Sequence, residues 1–138
     1  MAKLLHAGEL IQSLLHEASV EHDNMWTTEA DLDVDSIEEI PFVTHSEIIA
    51  RVDESLWDVN LTINLFLDPA GAQPIVDVLY DVVTTWAENP DAGIIPGVGA
   101  VEKLEDASAF MPVSGEVLMV NKVVRHYQGS FNLRVRNN

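Results

Sequence analysis

The C-terminal stretch Asn121 to Arg136 alternates, and this period of two constrains the fold more than any other feature of the chain. From Val123 onward one set is Val123, Arg125, Tyr127, Gly129, Phe131, Leu133 and Val135. The other is Val124, His126, Gln128, Ser130, Asn132, Arg134 and Arg136. Successive side chains of a strand point to opposite faces, so alternation over this length specifies a half-buried β-strand. Arg125 interrupts the apolar set near one end, where its stem can lie along the sheet while the guanidinium reaches water. The same stretch holds four of the chain's seven Lys and Arg residues and no acid, in a protein of formal charge -16. A basic strand on an acidic chain gives two unlike surfaces, and such a molecule can stick to copies of itself.

The 138 residues suit one domain, 1–138, able to bury its own core, and 47% apolar content is that of a globular chain. The absence of cysteine excludes disulfides, thiol nucleophiles and thiolate metal sites, and fits a reducing cytosol. Met1 to Ser19 lacks the pattern of a signal peptide, and no apolar run approaches the roughly 20 residues that span a bilayer. The chain is expected to be soluble, with no membrane partner. Seven bases against 23 acids disfavour a nucleic-acid binder, whose affinity comes largely from cations neutralising phosphates. The acidic surface itself needs no role beyond solubility.

Leu4, Leu5, Leu10, Ile11, Leu14, Leu15 and Ala18 recur at helical spacing and predict an amphipathic helix of about four turns, weakened at Gly8. Val20 to Glu39 has little periodicity and eight acids without a base, and reads as a long exposed acidic loop at about 20–39, with Met25-Trp26 as an apolar anchor. Pro41 to Asp53 predicts a strand whose pattern slips near His45-Ser46, where a bulge or bend is expected. Leu56 to Leu67 alternates cleanly and is the clearest strand. Pro74 fits the first turn of a helix over Gln73 to Glu88, closed by Asn89-Pro90. A turn-rich stretch from Gly93 to Gly99 precedes a short strand from Ala100 to Asp106. The fold class is α+β: a mostly antiparallel mixed sheet packed with two helices, order α-β-β-α-β-β.

Asp31, Asp33 and Asp35 open like a calcium-binding loop, but that motif needs Gly at the sixth place and Glu at the twelfth, where this chain has Ser36 and Phe42. A solvated acidic loop is the reading, and no metal is assigned. No two histidines stand at the i, i+4 spacing of a helical zinc site, and His16 and His22 read as helix-surface residues. There is no Gly-x-Ser-x-Gly elbow, and Gly97-Val98-Gly99 reads as a turn rather than a phosphate loop. No catalytic residue and no cofactor are assigned. Trp57 and Trp86 read as core. Trp26, in acidic surroundings, reads as inserting into the domain's own edge or a neighbouring subunit, the latter being preferred.

Three segments resemble the tail terminator proteins of long-tailed, non-contractile bacteriophages, especially those of actinobacteria. The first is Asp58-Val59-Asn60-Leu61-Thr62-Ile63-Asn64-Leu65-Phe66-Leu67-Asp68, running into the helix Gln73 to Glu88. The second is Pro96-Gly97-Val98-Gly99-Ala100-Val101-Glu102-Lys103-Leu104-Glu105. The third is Val124-Arg125-His126-Tyr127 leading to Phe131-Asn132-Leu133-Arg134-Val135-Arg136, where His126 interrupts the family's Arg-Tyr pair. The segments span about two thirds of the chain; the acidic stretch Glu21 to Glu39 is longer than the family leads one to expect.

The resemblance implies a mixed sheet flanked by helices, and a hexameric ring that caps the completed tail tube and docks to the head connector. It implies no catalysis. The implied partners are copies of the chain itself, the tail tube protein and the head-tail connector protein, with DNA only passing through the lumen. The implied location is the head-proximal end of the tail in the virion, and the host cytoplasm during assembly. A head-to-tail ring needs a different patch on each side of the subunit. The candidates are Trp26, Asp31, Asp33 and Asp35 on one side, and Arg125, Arg134 and Arg136 on the other. Surplus carboxylates facing the bore would also repel passing phosphate. The alternatives are another neck or connector ring protein, an acidic adaptor for a basic partner, and a DNA-mimic inhibitor, which would spread its acids along one elongated face.

Overall fold

The computed structural model describes residues 5–30, 41–68, 72–89, 91–113, 117–119 and 122–137. Its helices are α1 (Ala7–Glu21) and α2 (Ala72–Glu88). Its strands are β1 (Thr27–Ala30), β2 (Phe42–Arg51), β3 (Leu56–Leu67), β4 (Ile94–Ile95), β5 (Gly99–Ala107), β6 (Met111–Pro112), β7 (Val117–Met119) and β8 (Lys122–Asn137). The α+β class holds, but the order α-β-β-α-β-β does not: a third strand precedes α2 and five follow it. The sheet runs β1-β2-β3-β8-β5-β4, with β6 and β7 pairing further stretches of β8. Among the described strands only β1 and β2 pair in parallel, so the sheet is mixed and mostly antiparallel.

The terminal alternation becomes β8, which lies inside the sheet. It pairs with β3 from Arg125 opposite Leu67 to Arg136 opposite Leu56, and with β5 along its other side. The odd-numbered residues of β2, β3 and β8 share one face, on which Val43, Leu61, Ile63, Leu65, Leu133 and Val135 are buried. Both helices contribute to the same core, α1 through Leu10, Ile11, Leu14 and Leu15, α2 through Val76, Leu79, Val83 and Trp86. Each fully buried Leu or Ile stabilises the fold by about 1.5–3 kcal/mol, so α1 is held by its packed stripe more than by propensity. The even-numbered face carries Asn60, Thr62, Asn64, Gln128, Ser130 and Asn132 instead.

Two expectations need correction. The stretch from Val20 to Glu39 is not all loop: α1 runs to Glu21, and Thr27–Ala30 pairs with Phe42 to His45. Four residues are too few for periodicity to reveal, and the parallel partner is distant in sequence. Asp31, Asp33 and Asp35 lie outside the described residues. The expected bulge near His45-Ser46 is absent, because β2 pairs with β3 in unbroken register from Phe42 to Arg51. The pattern slips there because a polar residue, His45, faces the core. The bulges lie in β5 instead, between Val101 and Lys103 and between Leu104 and Asp106.

The Gly93 to Gly99 stretch folds as expected into a turn. Ile95 pairs with Gly99, the Val98 amide donates to the Ile95 carbonyl at 3.0 Å, and Gly97 takes φ +80° after Pro96. A Pro-Gly pair followed by this bond is a turn that requires positive φ at its third residue.

Candidate functional site

The three arginines proposed as a basic patch have different fates. Arg134 Nε lies 2.8 Å from Asp58 Oδ1, an ion pair without the alignment of a hydrogen bond, and Arg134 Nη2 lies 3.6 Å from Glu105. Arg136 donates from Nε and Nη2 to the two oxygens of Glu102 at 2.5 and 3.3 Å, and from Nη1 to Ser55 Oγ at 3.0 Å. The hydrogen bond to Glu102, then its charge and that of Asp53, raise the Arg136 pKa further above its ordinary value. Both cations are therefore neutralised within the chain itself, on a strand flanked on both sides. Arg125 differs: it is exposed, and its guanidinium meets no carboxylate among the described residues.

The bulges of β5 explain the two ion pairs. A bulge sets two residues against one on the partner strand, leaving one extra. In β5 the register passes from Val101 to Lys103 and from Leu104 to Asp106, so Glu102 and Glu105 are the unpaired residues. These two glutamates meet Arg136 and Arg134. Val101, Leu104 and Ala107 stay opposite Val135, Leu133 and Phe131. The repeat of three in Val101-Glu102-Lys103-Leu104-Glu105-Asp106-Ala107 is the sequence trace of the device.

Trp26 is drawn into the domain's own core and is only 4% exposed, which withdraws it as an anchor for a neighbouring subunit. The reason is local. After α1, Asp23 and Asn24 adopt left-handed φ of 58° and 56°, and the Asn24 amide returns to the Ser19 carbonyl at 2.8 Å. The buried Ser19 hydroxyl then accepts from the Trp26 amide at 3.1 Å and donates to the Trp26 carbonyl at 2.5 Å. One side chain thereby satisfies both backbone groups and turns the indole inward. Trp57 and Trp86 are buried as expected.

A second polar cluster ties α1 to β1 and β2. Gln12 Nε2 donates to the Thr28 carbonyl at 2.8 Å, which leaves Oε1 facing His45 Nε2 at 2.8 Å. His45 Nε2 must therefore carry hydrogen. His45 Nδ1 meets Glu47 Oε1 on its other side. His45 is thus a satisfied core histidine. On the opposite face His126 Nε2 contacts Asn64 Oδ1 at 2.7 Å and stacks on Phe66 at 4.6 Å, and burial lowers its pKa.

The surface with unassigned chemistry is a groove of about 330 Å3 between α1 and α2. Leu14, Ala18, Val78, Val82 and Trp86 form its apolar side, while the exposed Glu17, Glu21, Asp81 and Asp91 place four carboxylates around it. Among the described residues no Lys or Arg lines it. The sequence reading placed Glu21 in the acidic loop at about 20–39 and assigned no role to Glu17, Asp81 or Asp91. The available signal was the i, i+4 pair Glu17 and Glu21, flanking the apolar stripe.

The chain matches no protein-family model and no curated protein. Among the described residues no group of three His, Asp or Glu converges as metal ligands, and no helix is long and apolar enough to cross a membrane.

Proposed function

We propose that the chain is a structural protein of a bacteriophage virion, a tail terminator. Its subunits form a hexameric ring that caps the finished tail tube and joins it to the head connector. The observation that carries this reading is the placement of the three segments that resemble the family. The first forms β3 and leads into α2, the second forms the β4–β5 turn and β5, and the third forms β8, which lies between β3 and β5. The resemblance therefore falls on one contiguous block, three adjacent strands with a helix, rather than on scattered stretches. The α+β fold with helices packed on the sheet is the kind the resemblance implies.

On this reading the chain catalyses nothing. Its partners are its own copies, the tail tube protein and the connector, and DNA passes through the bore without being held. Tails purified from virions should carry the protein as a ring at the head-proximal end, seen by labelling with a specific antibody in electron micrographs. A chain absent from virions would overturn the proposal. If surplus carboxylates face the bore, reversing several of them to Lys should slow DNA ejection; unchanged ejection would make that charge merely solubilising.

A further inference from the structure

We propose that the groove between α1 and α2 is a docking site for a Lys- or Arg-rich segment of a partner protein, which inserts an apolar side chain between the two helices. The inference does not depend on the tail reading, because binding by the purified chain and presence in virions are separate measurements.

The C-terminal halves of both helices form this groove. The backbone dipole is negative at a helix C-terminus, so cations are favoured there and anions are not. Neither helix has a base in its last turn. Glu21 ends α1 instead, Glu17 stands one turn before it, and Asp91 follows the end of α2. Glu17 and Glu21 also repel each other across the i, i+4 spacing. On the sheet Asp58, Glu102 and Glu105 are paired with arginines. None of the four groove carboxylates has an ion-pair partner among the described residues. These placements cost the free chain stability, and a bound cation relieves them.

The apolar side of the groove sets the rest of the ligand's chemistry. Leu14, Ala18, Val78, Val82 and Trp86 offer surface to an apolar side chain. At about 330 Å3 the groove is at the low end of the roughly 300–1,000 Å3 of ligand sites, so it takes an anchoring side chain and not a folded element. An anchor in such a pocket supplies affinity, and the unlike charges around it fix orientation and speed encounter. The same carboxylates repel nucleic acid and anionic membrane surfaces.

The test is fluorescence anisotropy at about 0.15 M salt, where distant surface charges are largely screened. The probe is a fluorescein-labelled peptide of Leu and Lys, spaced as an amphipathic helix. Its control has the same length and charge with Gly in place of Leu. Wild type is expected to bind the Leu-Lys peptide and to bind the Gly-Lys peptide on the order of tenfold more weakly. Glu17→Gln/Glu21→Gln/Asp81→Asn should weaken the Leu-Lys peptide by a similar factor while melting at or above wild type. Thr85→Trp keeps every charge and fills the groove from an exposed position, and should weaken binding as well. Glu9→Gln/Glu54→Gln/Asp106→Asn, which neutralises exposed acids that do not line the groove, should bind as wild type does. No binding, equal binding of the two peptides, or an equal loss in the Glu9, Glu54 and Asp106 variant overturns the proposal. So does unchanged binding by Thr85→Trp, or a groove variant that melts below wild type. A wild-type oligomer that Thr85→Trp breaks into monomers, with no peptide bound, replaces the basic segment by a second copy of the chain.

Discussion

At the scale of single residues, buried polar groups hold the elements in place, and their loss should be costly. Replacing Ser19 by Ala leaves the amide and carbonyl of Trp26 unpaired in the core. Denaturant titration should show a loss of about 1–3 kcal/mol. Gln12→Leu strands both the Thr28 carbonyl and His45 Nε2, and should cost a similar amount or more. His126 adds a pH dependence. Burial holds its folded pKa below the ordinary 6.5, so between the two values the unfolded chain binds more protons. Its contribution to stability is fully present above about pH 6.5 and is lost as pH falls toward the depressed folded value. His126→Gln should therefore show a shallower loss of stability than wild type on acidification from pH 7 to 5; equal slopes would remove the assignment. None of these partners was legible in the sequence. His45 looked like a defect in a strand pattern because the residues that satisfy it, Gln12 and Glu47, come from a distant helix and from two places along.

At the scale of elements, what could be read was what repeats. The helices and the strands β2, β3, β5 and β8 were all visible as periods, because a half-buried element must present one face to the core. Short or irregular elements escaped. β1 has only four residues, and β6 and β7 are shorter still. The bulges of β5 were missed because they replace alternation by a repeat of three, which resembles neither a plain strand nor a helix. They make a specific prediction. Glu102→Ala removes an exposed ion pair and should barely move the melting temperature, since such pairs contribute little. Deleting Glu102 instead removes the unpaired residue and leaves a regular ladder in which Leu104 and Ala107 still stand opposite Leu133 and Phe131, so that variant should also melt close to wild type. A loss much larger than that of Glu102→Ala would show that β5 needs the extra residue to follow β8.

At the scale of the whole molecule, the arrangement of charge differs from what the linear sequence suggests. A run of bases at one end and acids at the other looked like two complementary patches. Folding inserts the basic strand between β3 and β5 and neutralises Arg134 and Arg136 with Asp58, Glu105 and Glu102. Of the three arginines Arg125 alone keeps an exposed head free of carboxylates among the described residues, while the inter-helical groove gathers four acids from segments far apart in sequence. The central claim is a ring at the end of a tail. The most direct measurement is the mass and position of the protein in purified tails, by native mass spectrometry and electron microscopy of the same preparation. A six-subunit ring at the head-proximal end is the expected result. A stable monomer that never enters the virion would contradict the account.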